Sequence, residues 1–171
     1  SKFGKLMRSV LENSRVDFIP LSEEITTLQN YLDIQKIRFG DKFDYQINVE
    51  NSIEAEQVGI PPMLAQPFLE NALEHGIKPL NNKGKIDVLF RPEKNGIMLN
   101  ITDNGIGRIK AAELTAESDK QSLATQITQE RIAVLNQQHK AKIDFTIEDV
   151  LDSTHQIAGT RVTFHLPLIN V

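Results

Sequence analysis

Apolar positions along the chain switch between two periods, and the switches divide it into elements. Phe3, Leu6, Met7, Val10 and Leu11 recur at helical spacing and predict a first helix, ended by Asn13 and Ser14. Ser22 is a good N-cap with Glu23 and Glu24 in the first turn; Ile25, Leu28, Leu32 and Ile34 then predict a second helix that fades at Phe39-Gly40. The period next falls to two. Phe43, Tyr45, Ile47 and Val49 alternate as a half-buried strand does. Pro61-Pro62 opens a helix carrying Met63, Leu64, Leu69, Ala72 and Leu73, with Gly76 as its C′ residue. Ile86, Val88 and Phe90, then Ile97, Leu99 and Ile101, alternate on either side of Asn95-Gly96, which predicts an antiparallel hairpin with a loop of several residues. Residues 105–128 have no clean period and predict a long functional or mobile loop. A helix over 129–138 follows. Ile143, Phe145 and Ile147 predict a strand, paired with Val162, Phe164 and Leu166.

This order predicts an α+β domain: a two-layer α/β sandwich whose largely antiparallel sheet is covered on one face. A length of 171 residues suffices for one domain and a short appendage. Hydrophobic residues at 40% and charged residues at 25% exclude general disorder. Aromatics at 6%, with no Trp, leave the core mostly aliphatic. A net charge of −4 without a basic stripe argues against nucleic acid as a partner. The absence of cysteine excludes disulfides and thiolate metal sites. No apolar run approaches the roughly 18 residues that span a bilayer, and no signal peptide is visible. Opening at Ser1 on a helical pattern, the chain is expected to be a piece of a longer protein.

Three clusters carry candidate chemistry. Glu70, Asn71, Glu74 and His75 form a dense polar set on an apolar helix, and Asn71 and His75, four apart, share a face. An amide oxygen is a hard neutral ligand suited to Mg²⁺ that binds phosphates; a solvated helix end is the plainer reading. Asp103, Gly105 and Gly107 make a DxGxG directly after a strand, where an acceptor could meet a base with an exocyclic amino group. Alone, that string is equally a turn. Gly159-Thr160 is a small step before the last strand that could face a bound ring, or a simple loop end.

In this order the parts resemble the Bergerat-type ATP-binding fold shared by gyrase, MutL and the histidine kinases. The blocks YLDIQKIRFGDKF (31–43), IPPMLAQPFLENALEHGI (60–77), ITDNGIG, ITQERIAVLN (127–136) and GTRVTFHLPL resemble, more closely, the LytS/YehU-type sensor histidine kinases, over residues 21–168. The resemblance implies a helical segment over 1–39, the remnant of dimerisation and phosphoacceptor helices, and a catalytic ATP-binding domain over 40–171. It implies ATP and Mg²⁺ as cofactors. Asn71 holds the metal, Asp103 accepts a hydrogen bond from the adenine amino group, Gly105 and Gly107 let the backbone pass close to the nucleotide, and Thr160 supports the adenine pocket. Arg131, in the family's ER pair, reaches phosphate from the lid helix. Glu70 and His75 match the ENAxxHG pattern and are the catalytic candidates. Glu74 stands where the family has a basic residue, which moves a phosphate contact to Lys78. The lid stretch from Ser122 to Gln126 has no glycine where the family's second box is glycine-rich.

The function so implied is transfer of the ATP γ-phosphate to a histidine outside these residues, on the phosphoacceptor helix of the same protein. The implied partners are a second copy of the full protein and a response regulator of LytTR type. The implied location is the cytoplasmic side of a bacterial inner membrane, to which the full protein is anchored. Two other readings compete: an ATP-driven switch of the gyrase or MutL kind, and a nucleotide-binding module without catalysis. The switch needs a carboxylate base four residues before Asn71, and Pro67 stands there. The family's acceptor motif is absent, and none of His75, His139, His155 and His165 falls on a helix free to enter another active site. In-line transfer demands near contact between nucleophile and γ-phosphate. We therefore predict that the isolated chain, incubated with γ-labelled ATP, accumulates no alkali-stable phosphohistidine and releases phosphate only at background rate. Brisk release abolished by Glu70→Ala would place it among the ATPases.

Overall fold

The computed structural model describes residues 16–115 and 123–171. The expected first helix lies outside them. Two strands and a helix open the described fold: β1 (Ile19–Pro20), α1 (Leu21–Phe39) and, after a 3₁₀ turn, β2 (Phe43–Val49). A short β3 (Val58–Ile60) leads to α2 (Gln66–Asn71), which runs on as a π-helical turn over Ala72–Ile77. The hairpin of β4 (Gly84–Glu93) and β5 (Gly96–Asp103) comes next, followed by α3 (Arg108–Thr115) and α4 (Leu123–His139). Strands β6 (Asp144–Leu151), β7 (Ile157–Pro167) and β8 (Ile169–Asn170) complete the chain.

The main sheet has the order β2-β4-β5-β7-β6. β2 runs parallel to β4, and every other neighbour is antiparallel. Residues directly opposite share a face, so Ile86, Asp103 and Thr160 line up, as do Val88, Ile101 and Val162, and Phe90, Leu99 and Phe164. That face is apolar and covered. The helices lay Leu21, Leu28 and Leu32 of α1, Phe68 and Leu69 of α2, and Ile132 and Leu135 of α4 onto it in one core. Phe68 meets Phe164 edge-on at 5.7 Å, and Phe164 stacks on Phe145 at 5.3 Å. Each such side chain withdrawn from water contributes roughly 1.5–3 kcal/mol. The opposite face is polar: Thr163 donates to Asn100 and Arg161 to Thr102 across β5 and β7. The expected two-layer α/β sandwich is the observed architecture.

Several boundaries differ from the expected ones. Helix α1 begins at Leu21, before the expected Ser22 cap, and has no side-chain cap. The Ser22 N–H instead donates to the Ala55 carbonyl at 2.8 Å, so tertiary structure does the work of a capping side chain. Ile34 is 62% exposed: it lies about 200° around the helix from Leu32 and so points away from the core. The Pro61-Pro62 step precedes the helix by several residues. Gly96 belongs to β5 and pairs with Glu93, which leaves a two-residue turn where a longer loop was expected. The stretch expected as one loop over 105–128 contains α3 and the first turn of α4; its residues 116–122 lie outside those described. Gly159-Thr160 lies inside β7 rather than before it. A small second sheet, β1-β3-β8, has no signal in the alternation, because Val58, Gly59 and Ile60 are all buried.

Candidate functional site

Strand β5 alternates inward with Ile97, Leu99, Ile101 and then Asp103. The fourth inward position thus puts a carboxylate on the apolar face, at the sheet's end, only 8% exposed. Burial pushes its pKa from 3.8 up to about 6, against the opposing pull of hydrogen bonds from the Gly105 and Thr160 backbone N–H groups. The Gly105 bond is 2.8 Å. Thr160 is the residue directly opposite Asp103 in β7. Asp103 is therefore fixed from both sides by backbone donors and loses little freedom if it accepts a further donor.

Glycines make this placement sterically possible. Gly159 has φ +147°, and a Cβ there would come within 1.9 Å of the Asp103 carbonyl oxygen. Gly105 packs back to back on Gly76: a Cβ on Gly105 would lie 2.6 Å from the Gly76 Cα. The Ile106 N–H closes the contact by donating to the Gly76 carbonyl at 2.9 Å. Gly76 was expected to end its helix, but it lies inside the π turn, marked by the Lys78 N–H bond to the Leu73 carbonyl. A π turn inserts one extra residue and redirects the groups that follow, a feature common at functional sites. Here it brings the Gly76 carbonyl to the DxGxG loop. Gly107 follows at the start of α3, where its carbonyl accepts the Ala111 N–H at 3.1 Å.

The site thus unites Asp103, Gly105, Gly107 and Thr160, and ties them through Gly76 to the helix that carries Asn71. Asn71 ends the α-helical part and is half-buried; His75, in the π turn, is exposed. Glu70 and Glu74, one turn apart, face α1 instead. Tyr31 hydrogen-bonds Glu70, whose pKa is raised chiefly by burial and then by the neighbouring Glu74 charge. Glu74 is bridged by Arg38 and, at 3.6 Å, by Lys78. Lys78 is thus engaged with the residue it was expected to replace. The guanidinium of Arg131, which was expected to reach phosphate, donates to the Pro62 carbonyl. Burial lowers its pKa to about 10, and the nearby Glu24 and Asp17 charges partly restore it. Spacing in the sequence did not point to Gly76, Tyr31, Arg38 or Glu24, because each acts on a residue distant in the chain.

Comparison with known proteins finds similar sequences and similar folds. A family model described as Histidine kinase matches residues 1–43. The sensor protein LytS of Bacillus subtilis is 33% identical over 100 residues, which are 58% of this chain and 16% of that protein. The sensor histidine kinase YpdA of Escherichia coli is 24% identical over 164 residues, 96% of this chain and 27% of that one. The chain therefore spans well under a third of either relative. Among solved structures, the mycobacterial sensor histidine kinase MprB superposes with a TM-score of 0.57 at 18% identity, covering 90% of this chain and 98% of that one. Full-length ShkA in complex with AMPPNP superposes at 0.62 and 15% identity, covering 98% and 35%. At these identities the likeness shows the fold.

The buried Asp103 makes stability depend on pH. Its folded pKa lies above the unfolded 3.8, so the unfolded chain holds fewer protons between about pH 4 and pH 6. The Asp103 contribution to native stability falls through that window and is level above it, a loss on the order of 3 kcal/mol. Asp103→Asn carries no charge and escapes the loss. Urea denaturation should show the variant gaining roughly 2–3 kcal/mol relative to the native chain between pH 4 and pH 8. An equal difference at both pH values would mean that the carboxylate is well solvated.

Proposed function

We propose that this chain is the catalytic domain of a LytS-type sensor histidine kinase and that it binds ATP with its adenine on Asp103 and its phosphates toward Asn71. The γ-phosphate then passes to a histidine supplied from outside these residues. One observation carries the reading: a desolvated carboxylate, held by two backbone N–H groups, lies on the covered face beside a glycine contact with no room for side chains. A buried carboxylate strongly prefers a donor to none, and the adenine exocyclic amino group is one. Gly105 and Gly107 line the path to the phosphates, and Thr160 borders the base.

Asn71 is the residue for the metal. Its amide oxygen suits a cation held by one protein ligand together with phosphate and water oxygens, which is the habit of Mg²⁺. Mg²⁺, when bound, neutralises phosphate charge and orients the γ-phosphate for in-line attack. Of the two catalytic candidates, His75 is exposed at the phosphate end. Glu70 is bound by Tyr31 and acts by holding its helix against α1. The gyrase-like reading is not favoured: Pro67 occupies the place of its base and is buried in the core end of α2.

In the whole protein, segment 1–39 then joins this domain to dimerisation and phosphoacceptor helices, with α1 as its part inside the catalytic core. The partners are a second copy of the protein and a response regulator, of LytTR type. No helix among the described residues is long and apolar enough to cross a membrane. The full protein is anchored at a bacterial inner membrane, with this domain on its cytoplasmic side.

Two outcomes test the reading. In calorimetry the native chain should prefer ATP to GTP, because guanine puts a carbonyl oxygen against the Asp103 carboxylate. Asp103→Ala should weaken ATP binding by roughly 1.5–3 kcal/mol; equal affinity for the two nucleotides in the native chain contradicts the adenine assignment. Asn71→Ala should lose most of the Mg²⁺-dependent part of ATP affinity and keep adenosine binding nearly intact. Native binding that is the same with Mg²⁺ and with EDTA would remove the metal from the account.

A further inference from the structure

Helix α4 is fastened to the chain that leads into and forms α1. At its C-terminal end, His139 Nε2 lies 2.7 Å from Asp17 Oδ2, and the imidazole meets the Phe18 ring edge-on with centroids 4.9 Å apart. About two turns earlier, Arg131 is largely buried and donates to the Pro62 carbonyl. The Glu24 carboxylate, on α1 and 2% exposed, accepts the Met63 N–H at 3.0 Å. One side chain thus donates into the Pro62–Met63 turn and the other accepts from it. Met63 has φ +62°, a left-handed conformation unusual for a residue with a long side chain, so the turn is held by what grips it.

The arrangement joins three pieces of chain. The turn feeds α2, which carries Asn71. Arg131 belongs to α4. Glu24 belongs to the helix that directly follows Asp17 and Phe18. Burial pushes the Glu24 carboxyl up to about 7, and the nearby Arg131 charge opposes that rise only in part, so the two add little stability as charges. Their strength is geometric: the guanidinium and the carboxylate each satisfy one backbone group of the same turn, which an apolar pair cannot do.

We propose that Glu24 and Arg131 are positioning residues that clamp the Pro62–Met63 turn and so fix α2 and α4 relative to the incoming Asp17–Phe18 segment, making Mg·ATP affinity depend on where that segment lies. The inference rests on the ATP-binding reading above. It assigns Arg131 to positioning and away from phosphate contact.

The test is a mutant cycle with two readouts on the purified chain. Glu24→Leu removes the acceptor of the Met63 N–H; Arg131→Met removes the donor to the Pro62 carbonyl; the double variant removes both. Both side chains grip one turn, so once either grip is lost the second loss adds little. Calorimetry should show each single variant binding Mg·ATP about tenfold more weakly, with adenosine affinity within about threefold of native, and the double variant within about threefold of the weaker single variant. Hydrogen exchange on the nucleotide-free chain should show faster exchange over residues 123–131 in each single variant and no further rise in the double. Single variants that bind and exchange as the native chain does would overturn the proposal, as would a double variant whose losses simply multiply. A phosphate-contact role for Arg131 predicts that multiplication, with exchange unchanged in Arg131→Met. If the native chain fails to bind ATP, the functional reading falls. Exchange then decides the clamp alone: a rise in each single variant that the double does not exceed supports it, and unchanged exchange removes it.

Discussion

A carboxylate on the covered face of the sheet is the constraint on which the rest of the site depends. Asp103 continues the inward alternation of Ile97, Leu99 and Ile101, so the strand period that builds the core also carries the charge into it. Ionising a group in that position is unfavourable unless donors meet it. Two backbone N–H groups do so, and they come from the loop after β5 and from the neighbouring strand β7. The unfavourable ionisation is thus offset by the same chain crossings that shape the pocket. Such a residue weakens the fold where it sits, and a binding function is the physical reason to keep it.

Close backbone approach is the second half of the design. Gly105 on Gly76, and Gly159 on Asp103, bring three chain segments nearer than side chains would allow. The π turn at Ala72–Ile77 turns the Gly76 carbonyl toward the Ile106 N–H, and so makes the helix of Asn71 and the DxGxG loop one rigid piece. Asn71 and Asp103 are then tied to each other through backbone contacts. Preorganisation of this kind reduces the ordering needed when a ligand arrives.

Much of this was legible in the sequence, and the illegible parts have physical causes. The alternations of Phe43 to Val49, of Ile86 to Phe90 and of Ile97 to Ile101 report a sheet with one covered face, which is the case that periodicity reads best. Asp103, Gly105, Gly107 and Thr160 were legible because the order of the motifs resembles a known family. Gly96 was misread as loop because Asn-Gly is a turn signal; in the fold the glycine sits in the strand, where a Cβ would strike the Leu166 carbonyl oxygen at 2.1 Å. Gly76 was misread as a helix end because nothing in a sequence marks a π insertion. Arg131 was expected to reach phosphate because it matches the family's ER pair, and its contact with Pro62 has no signal in the sequence. Its neighbour Glu24 lies far back in the chain, on a helix whose apolar stripe hides one carboxylate among leucines.

The state of the Asp103 carboxyl can be followed by carbon NMR on a chain labelled at aspartate, with Asp103→Asn to assign the signal. In the free protein it should titrate near pH 6, well above the exposed aspartates. With saturating Mg·ATP the midpoint should move down, because the adenine amino group donates to the ionised form and binding therefore favours it. A midpoint near 4 in the free chain, or one that saturating nucleotide leaves in place or raises, would contradict the claim that this buried carboxylate is the adenine acceptor.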